Sequence, residues 1–495
     1  MKNCFLVFLL FSCSLISHGQ NVNPNADEIF REDEIARVEI TMTEADKEFL
    51  LDDANASSNE YLHAQFRFVN SLMDTTLGFD VGIRLRGNTS RGAAKSSFKI
   101  DFREYEGAKF FDHKKFNLKA EVNDPSMVRE FLTMQTFRKA GVPAARTHFA
   151  EVYLNEEYMG LYVNVEQIDD EFVQARFDYD EGNLFKCSWG STLEDDGQVF
   201  DNDRYELKTN EELNDRSRLL NFVDVLNNTS SADFEQELEK IFNVNSFITY
   251  LAVEALTGHW DGYSFLKNNF YLYENETGKI EFIVYDTDNT FGIDWLGEDW
   301  GTRDIMNWAN TNELRPLTTR VLERVNYRNL YKLKLRELLD GDFSEDYFFP
   351  EISRVQGMIS NSVFEDTFYP QGFGFSFTDF NNSSTQAVAN HAPYGLQSYI
   401  STRILFAEDQ LGEIVAGLGD DKLHQLSVFP NPTNGNKLTL HSDRVIDTIV
   451  LTDIHGKQLN FTNTFYDSEY HLSFTLNPGV YFLKLNQQVR KFVVD

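Results

Sequence analysis

Residues 259–295 read HWDGYSFLKNNFYLYENETGKIEFIVYDTDNTFGIDW, and this stretch predicts two strands joined by a tight turn. The runs FYLYEN and KIEFIVY are rich in aromatic and β-branched residues, and turn-forming residues separate them. A hairpin brings its two ends together, so Asp261 and Asn269 are expected beside Asp286 and Asp288. Oxygen ligands that converge without His or Cys suit a hard cation such as Mg²⁺. In the simpler alternative, these Asp and Asn side chains only cap turns at the strand ends.

A second informative stretch, residues 82–102, reads GIRLRGNTSRGAAKSSFKIDF and predicts two strands around a glycine-containing loop. Glycine and small hydroxyl residues such as Ser90 let backbone amides approach an anion closely. Arg86, Arg91 and Lys95 add positive charge around the same loop, and Lys99 on the following strand would share a face with Lys95. Alone, the stretch also fits an ordinary hairpin with exposed basic residues. Together with the carboxylates it predicts a site for nucleotide phosphates, which needs both an anion grip and metal ligands.

The rest of the large region predicts strands first and helices later, with hairpins between them. Residues 20–35 are polar and acidic and are expected to form a flexible lead. A helix is expected from Asp124, which would act as its N-cap, to Gly141, which would stop it. Residues 211–256 and 317–362 have helical periodicity. This order of elements favours an α+β fold.

Composition limits the class of protein but not its chemistry. The chain has 495 residues, of which 42% are hydrophobic and 14% aromatic, so it can bury a large core and is expected to form two or three domains. The formal charge of −33 argues against nucleic acid or an anionic membrane as the main partner, because both are negatively charged.

The first residues, MKNCFLVFLLFSCSLISHGQ, predict a signal peptide over residues 1–19. Its apolar run is too short to span a bilayer, and no later segment predicts a transmembrane helix. The alternative is a lipoprotein signal in which Cys13 would be acylated. Cleavage after residue 19 would leave Cys187 as the only cysteine, so no internal disulfide is expected.

Four stretches together resemble the CotH family of secretory-pathway protein kinases. They are RGNTSRGAAKSSFKIDF, FNLKAEVNDPSMVREFLTMQTFRKAGVP, EVYLNEEYMGLYVNVEQIDDEFVQARF and VYDTDNTFG. The resemblance runs from about Arg37 to about Gly417, with the motifs in the family's order. It implies an atypical, protein-kinase-like fold over residues 36–416. It also implies transfer of the ATP γ-phosphate to Ser or Thr of secreted or surface proteins, with Mg²⁺ or Mn²⁺ as cofactor.

The same resemblance implies roles for the predicted nucleotide-binding residues. Lys95 would hold the ATP phosphates, with Lys99 as the alternative lysine. Arg86 and Ser90 belong to the same phosphate loop. Glu166, in the segment YVNVEQID, matches a recurring glutamate of the family and is included among the nucleotide-binding residues.

The resemblance also assigns the carboxylates. Asp261 would be the catalytic aspartate that accepts the proton of the acceptor hydroxyl. Asn269, or its neighbour Asn268, and Asp286 would be metal ligands, with Asp288 as a supporting carboxylate. The spacing from Asp261 to Asn269 is longer than in the usual kinase loop, which is a departure from the family's pattern at Asp261.

Two alternative functions remain open from the sequence. The segment IEFIVYDTDNTFG also fits the signature of haloacid-dehalogenase-like phosphatases, with Asp286 as nucleophile and Asp288 as acid/base. The long helices that follow argue against that fold, which alternates strands and helices. The other alternative is a catalytically inactive surface or adhesion protein that holds Ca²⁺ as a structural ion.

The C-terminal part predicts a separate small domain. Residues 417–425 are expected to be a linker, and residues 426–495 alternate short strands with Asn-Pro, Asn-Gly and Pro-Gly turns. This pattern predicts a small all-β, immunoglobulin-like sandwich. The segments VFPNPTNG, LTDIHGKQL and PGVYFLKL resemble the C-terminal sorting domain of the type IX secretion system. The resemblance implies that this machinery is a partner and that the protein passes through the periplasm to become secreted or surface-bound.

Overall fold

The computed structural model divides the chain into two compact units, Met1–Gly412 and Glu413–Asp495. It describes residues 22–411 except 26, 76–77, 88–90, 92, 106, 108, 311 and 370–372. In the second unit it describes residues 427–494 except 430–432, 434–436, 442–448, 454–456, 467–468 and 486–487. The predicted signal peptide, the predicted linker and Ser90 therefore lie outside the described residues. Among the described helices, none has the length and apolar character needed to cross a membrane.

Seven strands of the first unit close into a barrel in the order β1-β2-β3-β4-β5-β7-β6. The strands are β1 (Ile35–Thr41), β2 (Leu62–Val69), β3 (Phe79–Arg86), β4 (Ser97–Asp101), β5 (Lys115–Lys119), β6 (Thr147–Leu154) and β7 (Glu157–Val165). Neighbouring strands are antiparallel except β1 and β6, whose parallel pairing closes the barrel. The mixture of strands and helices confirms the predicted α+β class. The closed barrel was not predicted.

The barrel interior is filled by aromatic side chains that alternate with outward-facing polar residues. Phe66 lies edge-on to Phe102, Phe110 and Phe116, with ring centroids 5.0, 5.4 and 5.7 Å apart. Edge-to-face packing is a favoured aromatic geometry, and each ring removes a large apolar area from water. The outward face of β3, β4 and β5 is left to carry polar and basic side chains.

The predicted flexible lead, residues 20–35, needs correction in its second half. Ile29 and Phe30 are only 1% and 2% exposed, and Phe30 packs against the barrel aromatics. Asp27 accepts hydrogen bonds from the backbone N–H groups of both residues, at 2.8 Å each. The burial of two large apolar side chains outweighs the polar character of their neighbours, so this segment packs on the barrel.

The remainder of the first unit is a four-stranded sheet surrounded by helices. The sheet order is β11-β10-β8-β9, with β8 (Leu184–Cys187), β9 (Tyr205–Leu207), β10 (Phe270–Glu274) and β11 (Ile280–Val284). The helices are α1 (Glu44–Leu51), α2 (Arg129–Lys139), α3 (Asp170–Phe177), α4 (Ser217–Asn228), α5 (Phe234–Ile241), α6 (Val244–Thr257), α7 (Tyr263–Leu266), α8 (Pro316–Glu323), α9 (Val325–Leu339), α10 (Glu345–Glu365), α11 (Phe377–Asn382) and α12 (Leu396–Leu411). The predicted helical regions therefore contain α4 to α6 and α8 to α10.

Helix α2 begins later than predicted. The carboxylate of Asp124 accepts hydrogen bonds from the N–H groups of Val128 and Arg129, both at 2.9 Å, as a helix cap does. However, Met127 has φ +60°, a left-handed conformation that cannot continue a right-handed helix, so regular helix begins only at Arg129. Gly141, with φ +79°, ends the segment as predicted.

The second unit contains two antiparallel sheets. One has the order β12-β13-β16-β15 and the other β14-β17-β18. The strands are β12 (Ser427–Phe429), β13 (Lys437–His441), β14 (Ile449–Asp453), β15 (Thr462–Tyr466), β16 (Glu469–Ser473), β17 (Gly479–Leu485) and β18 (Gln488–Val494). Leu440 and Leu472 of the first sheet share one core with Leu451 and Leu483 of the second. This arrangement confirms that the tail is a small all-β domain.

Candidate active site

The predicted hairpin of β10 and β11 forms and joins the two ends of the opening stretch. Phe270 pairs with Val284, and the N–H of Tyr285 donates to the carbonyl of Asn269 at 3.2 Å. Asp286, directly after the strand, has φ +53°, and this left-handed conformation turns the chain sharply away from the sheet. The hairpin therefore fixes the two loops that carry the candidate carboxylates against each other.

A lysine from the barrel lies at the centre of these carboxylates. The Nζ atom of Lys119, at the end of β5, lies 2.5 Å from Asp286 Oδ1 and 3.8 Å from Asp288 Oδ2. It also lies 2.5 Å from an oxygen of Glu130, in the first turn of α2. Lys119 thus links the barrel, helix α2 and the end of β11 in one ion cluster.

Asp261 lies on the other side of Asp286 and is fixed by two asparagines. Asn268 donates to its carboxylate at 3.1 Å, and Asn269 donates to its backbone carbonyl at 3.1 Å. Burial raises the pKa of Asp261 to about 7, and the nearby charge of Asp286 contributes to the rise. The structure therefore brings together Asp261, both asparagines, Asp286 and Asp288, the grouping expected from the hairpin.

The pKa values of the two carboxyls after β11, Asp286 and Asp288, are shifted in opposite directions. Burial opposes the charge of Asp286, but Lys119 and Arg86 outweigh this effect and lower the pKa of Asp286 to about 2. Burial raises the pKa of Asp288 to about 7 in spite of Lys119, and the charges of Asp286 and Glu130 contribute. At neutral pH the cluster consequently has one firmly ionised carboxylate and one that exchanges its proton readily.

A further buried carboxyl adjoins the cluster. Glu121 is 5% exposed, and neither of its side-chain oxygens has a hydrogen-bond partner among the described residues. Burial, followed by the charge of Glu130, raises the pKa of Glu121 well above its usual value. The residues around Asp286 and Asp288 offer only oxygen ligands, which is the donor chemistry of a hard divalent cation. Among the described residues, however, the carboxylates whose oxygens already lie close together are Asp169, Asp170 and Glu171, outside this cluster.

Basic side chains from β3 of the barrel and from β8 of the sheet lie near Asp286. Arg86 donates to the hydroxyl of Tyr285 at 3.0 Å, and its charge, like that of Lys186, lowers the pKa of Asp286. Lys99 lies nearby, and burial followed by neighbouring cations lowers its pKa to about 6. An anion that entered this side would relieve the repulsion among the cations, which is what phosphate binding requires.

Lys95, the predicted phosphate lysine, is placed differently. Its Nζ atom donates to Asp366 and to the carbonyl of Leu161, both at 2.6 Å, and the side chain is 3% exposed. Asp366, just after α10, is itself 1% exposed. Lys95 is thus held in a buried ion pair that connects the barrel to α10. It lies near Glu121, whose charge also acts on it, but its ion-pair partner is Asp366 and not Asp286 or Asp288.

Glu166 is also occupied by structural partners. Its carboxylate pairs with Arg146 at 2.6 Å and with Arg176 at 2.7 Å, and only 4% of the residue is exposed. Burial would raise the pKa of Glu166, but the two arginines lower it to about 2. The structure therefore shows a buried ion triad at this position rather than a residue of the cluster.

The sequence interpretation missed Lys119, Glu130 and Glu121. All three lie in the segment FNLKAEVNDPSMVREFL, one of the stretches that resemble the CotH family. The available signal was a lysine at the end of a strand, followed by a glutamate in the first turn of the next helix. That pattern is common in proteins. It indicates a functional site only when the tertiary structure places Lys119 between Glu130 and Asp286.

The phosphatase alternative depends on a parallel sheet, which this site does not have. All three strand pairings of the four-stranded sheet are antiparallel in the described residues, and β11 lies at its edge. Asp286 is also held by Lys119. The sheet geometry thus disfavours a haloacid-dehalogenase-like fold.

Comparison with known proteins identifies both units. Residues 83–405 match the model of the family described as CotH kinase protein, and residues 427–495 match the secretion system C-terminal sorting domain. Over 297 residues the chain is 29% identical to inner spore coat protein H of Bacillus subtilis, covering 58% of this chain and 79% of that protein.

Two similar fungal proteins come from Rhizopus delemar. Spore coat protein homolog 1 is 25% identical over 248 residues, which cover 46% of this chain and 39% of that protein. Invasin CotH3 is 29% identical over 177 residues, which cover 34% of this chain and 27% of that protein. The chain therefore spans well under half the length of these fungal relatives. The family match covers more than half of this chain, so the chain belongs to the CotH family and carries a C-terminal sorting domain that marks it for secretion or the cell surface.

Proposed function

We propose that this chain transfers the γ-phosphate of ATP to Ser or Thr hydroxyls of secreted or surface proteins. The observation that carries the proposal is the position of Lys119 between Glu130 and Asp286. Protein kinases depend on the same three groups: a strand lysine paired with a helix glutamate, and an aspartate that binds metal. The family match agrees with this interpretation but does not by itself establish activity.

The cations and the carboxylates around Asp286 have different roles in the proposed nucleotide binding. Arg86 and Lys186 attract phosphate oxygens, since both lie close enough to lower the pKa of Asp286. Asp286 stays ionised at neutral pH and offers oxygen ligands together with Asp288 and Asn269. A Mg²⁺ or Mn²⁺ ion held there would neutralise phosphate charge during transfer. This assignment replaces Lys95 with Lys119 as the proposed phosphate lysine, because Lys119 contacts the proposed metal ligand Asp286 whereas Lys95 pairs with Asp366.

Asp261 is the proposed proton acceptor. In the transfer step the acceptor hydroxyl oxygen forms a bond to the γ-phosphorus while the bond to the β–γ bridging oxygen breaks, and ADP leaves. The hydroxyl proton passes to Asp261, whose pKa of about 7 allows it to accept a proton near neutral pH. Asn268 fixes the orientation of the carboxylate through its hydrogen bond.

The test is phosphate incorporation from labelled ATP into the full chain and into exported proteins. Asp286→Ala and Asp261→Asn are expected to abolish incorporation, because they remove the proposed metal ligand and the proton acceptor. Asp203→Ala, an exposed carboxylate far along the chain from both, is the matched control and should retain it. Incorporation that persists in Asp286→Ala would disprove the proposal.

A second candidate is an inactive surface protein that uses the same carboxylates for a structural cation. The sorting tail favours it, since it directs the chain to a place where ATP is scarce. One relative is named an invasin, which also agrees with a surface role. Thermal stabilisation by Ca²⁺, with no binding of Mg-ATP, would support this candidate over the kinase.

A further inference from the structure

Two exposed aromatic side chains, packed on a buried histidine, lie next to the candidate active site. Trp295 and Phe373 are 46% and 48% exposed, although large apolar side chains normally avoid water. Trp295 stacks on His391 with ring centroids 4.4 Å apart and planes at 7°, and Phe373 lies 4.7 Å from the same ring. We call Trp295, Phe373 and His391 the aromatic platform. Its rings hold each other in place, so it presents a preformed surface.

Hydrogen bonds connect the aromatic platform to the carboxylates. Trp295 Nε1 donates to Asn289 Oδ1 at 3.1 Å, and Asn289 Nδ2 donates to Asp288 Oδ1 at 3.0 Å. A second connection runs from His391, whose Nε2 lies 3.0 Å from the carbonyl of Asn123, and Asn123 Nδ2 donates to the same Asn289 oxygen at 3.0 Å. The aromatic platform is therefore continuous with the proposed transfer site.

The charge around the aromatic platform is unfavourable for ATP. Glu298 and Asp299 are exposed in the segment that follows Trp295, and only Glu298 pairs with a cation, Arg303, at 3.2 Å. Phosphates are repelled from such a surface. The cations that would attract them lie elsewhere, Arg86 on β3 of the barrel and Lys186 on β8 of the sheet. ATP and the aromatic platform are thus expected on different sides of the carboxylates.

We propose that the aromatic platform binds a bulky apolar side chain of the acceptor protein, close in sequence to the phosphorylated residue. This inference rests on the proposed kinase function and specifies its substrate. An extended segment advances by roughly 3.3 Å per residue, so two bridging hydrogen bonds place the anchor within roughly four residues of the hydroxyl. Rigid aromatic surfaces of this kind bind apolar anchors well, because little conformational freedom is lost.

The experiment uses the full chain and synthetic peptides with one Ser in a Gly-Ala background. Phe or Leu is moved through the four positions on each side of the Ser. Peptide binding without ATP is measured by fluorescence anisotropy, and phosphate transfer is measured with Mg-ATP. One position is expected to bind best. Phe373→Ala should weaken its binding about tenfold, as the loss of one anchor does, and should leave the KM for ATP unchanged.

Two further variants test whether the aromatic platform contacts the peptide directly or acts by positioning the carboxylates. Trp295→Phe keeps a ring but loses the hydrogen bond to Asn289, so peptide binding should be retained while transfer slows. Phe200→Ala removes an aromatic side chain that is 63% exposed elsewhere in the first unit, and it should change neither measurement. Thermal unfolding of each variant checks that the fold is intact.

The outcomes distinguish this inference from the kinase proposal. Phosphate transfer without any preference for an apolar position would disprove peptide binding by the aromatic platform but would not contradict the kinase proposal. If no transfer occurs but binding still depends on Phe373, the kinase proposal fails and the aromatic platform stands as a docking surface. A change in the KM for ATP in Phe373→Ala would overturn the inference and make the platform a nucleotide-stacking surface.

Discussion

Replacing Lys119 by Met tests which lysine serves the candidate active site. The change keeps an apolar stem of similar length and removes only the ammonium group. That group lies 2.5 Å from Asp286, 2.5 Å from Glu130 and 3.8 Å from Asp288. Loss of one electrostatic group that stabilises a transition state costs about 10²- to 10³-fold in rate, so transfer in Lys119→Met should fall by about this factor.

The same substitution should lower stability in a pH-dependent way. Glu130 is 1% exposed, and breaking a buried ion pair costs about 3–5 kcal/mol. Asp286 is 33% exposed, so water offsets part of this cost, and we expect a loss of about 3 kcal/mol. Without Lys119 the pKa of Asp286 should rise toward that of Asp288, about 7. In the parent chain the ionised Asp286, with a pKa of about 2, stabilises the fold, whereas a carboxyl whose folded pKa lies above its unfolded value destabilises it as pH rises. The loss should therefore grow steadily from about pH 2 to about pH 8.

Lys95→Met is the control variant for Lys119→Met. It removes a buried ion-pair partner of Asp366, which is 1% exposed, so a similar loss of about 3 kcal/mol is expected. Its transfer rate per folded molecule should stay within about threefold of the parent, because no reacting group is touched. Urea unfolding gives the folded fraction, and calorimetry gives Mg-ATP affinity.

Loss of Mg-ATP binding in folded Lys95→Met, with binding retained in Lys119→Met, would refute the assignment of Lys119 as the phosphate lysine. In that case Lys95 would be the phosphate lysine, as the family resemblance first indicated, and its pairing with Asp366 would be broken when nucleotide binds.

Four further predictions follow from the charges and the domain division. Asp288→Asn should raise stability at pH 8 by about 1–3 kcal/mol and change it little at pH 4, measured by urea unfolding, because a carboxyl with a pKa of about 7 destabilises the fold only where it is ionised. Mg²⁺ should raise the Tm more at pH 8 than at pH 5, because protons compete with the cation for Asp288, whose pKa is about 7. Glu166→Gln should cost about 3 kcal/mol in urea unfolding by leaving two arginines underpaired, with Mg-ATP affinity by calorimetry unchanged within about twofold. A chain without residues 413–495 should keep the Tm of the first unit but stay in the periplasm, as shown by cell fractionation.

Each of these predictions has a contradicting result. Equal stabilisation of Asp288→Asn at both pH values would mean that its charge is not the cause. A Tm shift with Mg²⁺ that is larger at pH 5 would place the cation elsewhere. Loss of Mg-ATP affinity in folded Glu166→Gln would restore Glu166 to the nucleotide site. Normal export of the truncated chain would show that the tail is not the export signal.

Local patterns in the sequence determined the elements that depend on neighbouring residues. The hairpin of β10 and β11 follows from two apolar runs and a turn, so it also determined that Asp261 and Asn269 meet Asp286. The strands of the tail could be predicted equally well, because apolar and polar residues alternate and turn residues recur over short distances. Helix α2 was predicted, but not its first residue, because the conformation of Met127 depends on its surroundings.

Contacts between distant segments were decided only by the tertiary structure. The barrel closes through the parallel pairing of Ile35 with Phe149, and no local pattern specifies a partner so far along the chain. For the same reason the sequence could not distinguish Lys119 from Lys95. Both are basic residues beside strands, but the fold places one among carboxylates and the other against Asp366. The electrostatic free energy of a buried lysine depends on the charges that surround it. Only the folded chain determines which charges these are.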